Sequence, residues 1–133
     1  MKQTGLYIIL MLCFGSLSFA QIGQSPKLIF KHYEYNFGTL DYNEEATHDF
    51  IFKNISDSVL IITNVKAKCG CAAMDWIKSP IKKNRKGSIK ISYDTSIPGK
   101  FSKSIYVFTN LSNQPIKLLI QGNVKQAKNQ ETN

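Results

Sequence analysis

The chain has 133 residues, with 17 Lys and Arg against 9 Asp and Glu and a net charge of +8. Its 43% apolar content is ordinary for a globular chain, so a packed core can offset the entropy of ordering it. Such a positive charge points to nucleic acid in a cytosolic protein. Here an export signal argues against that partner, and the basic residues are scattered singly along strand-like segments. The exception is Lys82-Lys83-Asn84-Arg85-Lys86, which falls in a predicted turn and reads as a solvated loop.

Residues 1–20 have the form of a cleavable secretory signal: Lys2, a nearly unbroken apolar run from Leu6 to Phe14, then Ser18-Phe19-Ala20 with small residues at the cleavage positions. The apolar stretch is shorter than the roughly 18–20 residues needed to span a bilayer, so no transmembrane segment is expected once the signal is removed. Cys13 follows Leu12 rather than a small residue, which does not fit a lipoprotein signal, and it leaves with the signal. The remainder is enough for one domain and not comfortably for two. The expected organisation is a signal peptide at 1–20, a short leader at 21–27, one domain at 28–125 and a disordered tail at 126–133. That tail lacks apolar residues to anchor it.

After the leader, short β-rich runs alternate with turn residues. Leu28–Lys31 and Glu34–Phe37 come first. Ala46–Asn54 alternates, with Phe50 and Phe52 on one face and Ile51 and Lys53 on the other. Residues 54–58 carry turn chemistry. Val59–Val65 is dense in β-branched residues and is predicted to be a central strand buried on both faces. In Ser88–Tyr93 the residues Ile89, Ile91 and Tyr93 point inward. Phe101–Thr109 and Ile116–Val124 complete the set, with Leu118, Ile120 and Val124 sharing a face and Gly122 permitting close approach of a neighbour. Thr95–Gly99 and Asn110–Pro115 fit hairpin loops. No stretch sustains a helical period. Seven or eight short strands, joined by connections too short for crossover helices, predict an all-β fold: an immunoglobulin-like antiparallel β-sandwich.

The succession Phe37-Gly38, Phe50-Ile51-Phe52-Lys53-Asn54, Cys69-Gly70-Cys71, Tyr93-Asp94, Gly99-Lys100-Phe101 and Thr109-Asn110 resembles the domain-of-unknown-function family numbered 1573. This family occurs in exported proteins of Bacteroidota and related bacteria. It is similar in turn to the hydin-like (ASH) and PapD-like immunoglobulin-like domains. The resemblance covers residues 30–124 and implies the sandwich, a bacterial source with two membranes and no assigned activity. One departure is visible: where the family has a Pro-Gly turn, this chain has Lys83-Asn84-Arg85-Lys86-Gly87, so the glycine is kept, the proline is lost and the loop is basic.

Cys69 and Cys71 are the only thiols outside the signal. In an extended strand their Cα atoms would lie about 6.6 Å apart, near the upper limit for a disulfide, and Gly70 can bend the backbone to shorten that. Closing a three-residue loop contributes only about 1.6 kcal/mol in the chain-entropy model. Three readings stay open: a local disulfide or packed thiols shaping the turn, a soft-metal Cu(I) site of Cys69 and Cys71 with Met74 as thioether, or a dithiol that cycles as a redox switch. Zinc is disfavoured, because no Cys/His array accompanies the pair. Of the two histidines, His48 shares the parity of Phe50 and Phe52 and reads as a satisfied residue on the core side. His32 lies in the aromatic run His32-Tyr33-Glu34-Tyr35. Trp76 is expected to pack under the cysteines. No acid, base and nucleophile fall at a recognisable spacing, so no catalytic residue and no cofactor are predicted. The expectation is a non-catalytic binding or assembly module of the cell envelope, in the periplasm, with a protein partner. The alternative is a Cu(I)-binding or thiol redox protein.

Overall fold

The computed structural model describes residues 27–128. The expected signal, all but the last residue of the expected leader and the end of the expected tail lie outside the described residues. Eight strands follow in order: β1 (Leu28–Phe30), β2 (Glu34–Leu40), β3 (Ala46–Asn54), β4 (Ile62–Ala67), β5 (Ala72–Trp76), β6 (Lys86–Tyr93), β7 (Gly99–Thr109) and β8 (Ser112–Val124). They form two four-stranded sheets, ordered β1-β3-β6-β5 and β2-β8-β7-β4. These are the two sheets of an immunoglobulin-like sandwich, with the first strand divided between them.

The core is built by the alternation that the sequence carries. Phe50 and Phe52 of β3, Ile89 and Ile91 of β6, Ile105 and Val107 of β7 and Leu118 and Ile120 of β8 are all buried between the sheets. Ile51 and Lys53 face the other way, as their parity requires. Gly122 is needed for close packing: a Cβ there would lie 2.8 Å from Phe101 Cζ and 3.1 Å from the Gly38 carbonyl oxygen. Gly38 itself sits at φ 70°, in a register shift of β2 between Asn36 and Thr39.

Several expectations are corrected. Val59–Val65 is not a central strand. Its ordered part, β4, is the outer strand of its sheet, with Thr63 and Lys66 in solvent and Val59 45% exposed. β-branched density reports a pleated surface and cannot tell an edge from a centre. The segment Thr95–Gly99 is no hairpin: it carries the chain from β6 in one sheet to β7 in the other. The loop Asn110–Pro115 shrinks to Asn110-Leu111. Pro115 lies within β8, opposite the register shift between Val107 and Thr109, where the absent N–H costs no ladder bond. One pairing is parallel, β2 with β8. Short connections do not forbid it, because the whole domain separates these two strands in sequence. β5 was not foreseen, since Ala72 and Ala73 have little strand propensity.

The basic turn also works differently from the family pattern. The Arg85 N–H donates to the Lys82 carbonyl at 3.1 Å, and the left-handed residue is Asn84, at φ 64°. Asparagine tolerates that region, so the turn needs neither proline nor glycine. Gly87 serves β6 instead: a Cβ there would fall 2.5 Å from Phe52 Cζ. The turn's side chains are exposed, and Lys83 pairs with Asp57.

Candidate functional site: the cysteine turn and the aromatic end

β4 and β5 are outer strands of opposite sheets, and the link between them is Lys68-Cys69-Gly70-Cys71. The chain folds back there. The Cys69 and Cys71 Cα atoms are 5.3 Å apart and their sulfurs lie within bonding distance. Cys71 packs against the core while Cys69 is half-buried. The Cys71 carbonyl accepts a hydrogen bond from the Asp94 N–H at 2.9 Å, tying the turn to the end of β6. Asp94 in turn accepts from the Ser96 N–H at 2.9 Å and the Ser96 hydroxyl at 2.6 Å, and these donors hold its carboxyl below the usual range.

The residues flanking that junction are aromatic. Tyr93 stacks on Phe101 with centroids 3.7 Å apart, and Phe37 packs against the same Phe101 ring at 6.2 Å. Burial pushes the Tyr93 phenol up. The short motifs scattered along the sequence therefore meet in space. Phe37-Gly38, Tyr93-Asp94 and Phe101 occupy one end of the sandwich, with Cys69-Gly70-Cys71 joined to it through Asp94. A second motif residue clamps the opposite edge: Asn110 Oδ1 accepts from the Ile61 N–H at 2.8 Å and Asn110 Nδ2 donates to the Val59 carbonyl at 3.0 Å.

Met74 follows the cysteine turn in the next strand. It lies within β5, paired with Ile91 and packed against the core. Among the described residues no group of three or more His, Cys, Asp or Glu side chains is placed to hold a metal. Trp76 is not under the cysteines either. Its indole N–H donates to the Ile62 carbonyl at 3.3 Å, at the start of β4, whereas the cysteines follow that strand's end. Replacing both cysteines by serine removes a bond that closes only three residues. The expected loss of stability is at most about 1.6 kcal/mol, and denaturant unfolding of the two proteins measures it.

His48 lies in the same sheet as Met74, two strands away along the row His48–Ile91–Met74. Cys71 precedes Ala72, which lies two strands from Ala46 along the row Ala46–Tyr93–Ala72, so a strand spacing of roughly 10 Å keeps His48 from the cysteines. The imidazole stacks on Tyr35 at 3.6 Å and meets the edge of Phe50 at 4.8 Å. Ring packing holds it; among the described residues no hydrogen bond reaches the ring. Around it opens a groove of about 440 Å³, which Lys31, His32, Glu34, Tyr35 and Phe50 also line. Parity and the aromatic run around Tyr35 each hinted at this groove, but only the packing of β2 beside β3 joins them. Burial lowers the His48 pKa and His32 adds to that, while Asp49 opposes it. A depressed pKa means that the unfolded chain binds the proton more readily. The associated stability is thus present above the ordinary histidine pKa of about 6.5 and is lost as pH falls below it. Stability should drop on acidification from about pH 7.5 to 5.5 and drop less in His48→Gln, as denaturant midpoints at the two pH values would show.

Among known proteins the chain's likeness is mainly structural. It resembles a protein of unknown function from Porphyromonas gingivalis W83, at 11% identity and a TM-score of 0.65, over 77% of this chain and 51% of that one. It also resembles the ASH/PapD-like domain 7 of human CEP192, at 10% identity and a TM-score of 0.65, over 86% and 99%. The secreted serine protease VesC from Vibrio cholerae matches at 10% identity and a TM-score of 0.58, over 76% of this chain and only 24% of the protease. The chain thus spans about half of the Porphyromonas protein and about a quarter of the protease. At such identities the likeness shows the fold alone. No curated protein matches by sequence. The family assignment comes from residues 28–124, which match the family described as "Protein of unknown function (DUF1573)", and the chain belongs to that family.

Proposed function

We propose that this chain is an exported, non-catalytic binding or assembly module of the bacterial cell envelope, held in the periplasm and acting on a protein partner rather than on nucleic acid. The observation that carries this reading is where the motif residues go. Phe37, Tyr93 and Phe101 stack into one end of the sandwich, Asn54 and Asn110 fix backbone at its edges, and the cysteine pair shapes a crossover. The chemistry-bearing side chains are thus committed to building the frame. Outer strands remain on both sheets, and such edges recognise partners by backbone pairing without catalytic groups. The likeness to ASH and PapD-like domains supports a role in protein association. Among the described residues no helix is long and apolar enough to cross a membrane. The test is crosslinking of the tagged chain in intact cells. One recurrent envelope protein should be recovered with it; recovery of none under gentle crosslinking would overturn the reading.

A second reading rests on the half-buried Cys69 beside Cys71: a thiol redox or Cu(I)-binding protein. Intact mass of the exported protein, native and then denatured, separates the two. A chain two hydrogens light without metal establishes the Cys69–Cys71 bond and removes the metal reading, and turnover in a disulfide-reduction assay then separates a redox pair from a structural brace. Copper lost on denaturation supports the metal reading.

A further inference from the structure

β3 is paired unequally. β6 runs along nearly all of it, from Ala46 opposite Tyr93 to Lys53 opposite Lys86. On the other side β1 covers only Phe52 to Asn54, and its last contact is the Lys31 N–H on the Ile51 carbonyl at 2.9 Å. The chain then leaves for the second sheet. Asn54 uses both its N–H and its C=O on the β6 side, with Arg85 and Asn84. By alternation the even-numbered residues of β3 face β6 and the odd-numbered ones face outward. The N–H and C=O of Thr47 and Asp49 and the N–H of Ile51 therefore point to the open side, and among the described residues no hydrogen bond reaches them. Such a row is a template for another strand. Beside it lie the groove at His48 and Tyr35 on the inner face and Ile51, 44% exposed, on the outer.

The charges around this edge select the occupant. Glu44 and Glu45 precede its N-terminal end, and Lys31 and His32 stand at the other. An antiparallel strand that is acidic at its start and meets bases past its end would match both, and β3 itself has that layout. An antiparallel ladder must set outward-facing residues against outward-facing ones, which leaves few self-pairings. Centring on Asp49 puts two aspartates face to face and drives Thr47 into the place that Lys31 holds. Centring on Thr47 sets Asp49 against Glu45, again like against like. Centring on His48 sets Thr47 against Asp49 in both directions; Glu45, which precedes β3, then reaches the position opposite Ile51 where Lys31 of the other copy already stands, and must turn out of the ladder to lie beside that lysine. Asp49 stands opposite Lys90 in its own sheet.

We propose that two copies of this chain pair antiparallel through the free half of β3, centred on His48, joining their β1-β3-β6-β5 sheets into one continuous sheet. The Thr47 N–H donates to the second copy's Asp49 carbonyl, the Asp49 N–H donates to the second copy's Thr47 carbonyl, and the twofold axis repeats both. The two imidazoles face each other at the axis, each backed by its own Tyr35. Lys31, His32, Glu34 and Asp49 are the other charged or titratable groups around each ring. Neutral rings fit that arrangement, whereas two imidazolium ions repel, so the pair loosens on acidification through the histidine range. This inference goes beyond the binding-module reading and does not depend on a foreign partner.

Sedimentation velocity of the exported chain tests it, from about 10 µM to 1 mM, where a short strand interface shows its dimer. At pH 7.5 the dimer fraction should rise with concentration, and at pH 5.5 it should fall. Thr47→Pro removes an N–H that β6 does not use, at an edge position where proline is tolerated, and should weaken the dimer at least tenfold. Glu45→Lys should weaken it, and Lys31→Glu added to the same chain should restore it. Monomer throughout the range, or a dimer indifferent to both Thr47→Pro and the charge exchange, would overturn the proposal. A monomer that still captures an envelope partner in cells would sink this pairing alone and leave the binding-module reading standing.

Discussion

Phe52→Ala is expected to cost about 4 kcal/mol, the scale found when a buried aromatic ring is deleted from a core that cannot collapse around the gap. Phe52 is 1% exposed and packs against Phe30 at a centroid distance of 5.4 Å. Its ring edge rests on Gly87, where no side chain exists to move into the void. For a domain of this size, such a loss lowers the melting temperature by about 15–30 °C. Phe52→Leu keeps most of the volume and should cost less than about half as much. Thermal and denaturant unfolding of both variants measure the difference. Equal losses would mean that the ring's shape against Gly87 matters more than the volume it fills.

Asn54→Ala should follow at about 3 kcal/mol, because several polar groups lose their partner at once. Asn54 has no exposed surface, yet its amide nitrogen donates to the Ser58 and Ile81 carbonyls, both at 2.8 Å. Its carbonyl oxygen accepts from the Ser56 N–H at 3.0 Å and the Ser56 hydroxyl at 2.7 Å. One side chain thereby fixes the crossover from β3 toward β4 and ties it to Ile81. Asn54→Asp is a sharper probe. Ionised, it sets an acceptor against two carbonyl oxygens in a buried site, which raises its folded pKa. A raised carboxyl pKa makes the variant lose stability as pH rises from about 4 to 7, and urea midpoints across that range should show the slope.

The sequence reading located the core faces well, because period-two alternation depends only on which side of a strand is dry. Phe50 with Phe52, Ile89 with Ile91 and Leu118 with Ile120 needed nothing more. It failed where partner identity mattered. Nothing local in Val59–Val65 says that only one neighbour pairs with it, and nothing in Thr95–Gly99 says that the chain changes sheets. The parallel pairing of β2 with β8 joins residues 85 positions apart, as in Glu34 with Leu119. At the cysteine turn, spacing and Gly70 anticipated the approach of the two sulfurs. The link through Asp94 to Tyr93 and Phe101 was hidden, because those residues lie on strands that sequence order does not bring together. His48 was placed on the inner face by parity, but its stacking partner Tyr35 comes from the other sheet.

In the proposed binding-module role the chain acts through its sandwich surfaces, and Cys69 and Cys71 only brace a crossover. The most direct measurement is in-cell crosslinking of the tagged chain beside its Cys69→Ser, Cys71→Ser double variant, with recovered partners quantified for both. The account predicts the same envelope partner in the same yield, from a variant that folds and has lost at most about 1.6 kcal/mol of stability. A double variant that is folded and exported yet recovers no partner would contradict it and assign the function to the thiols.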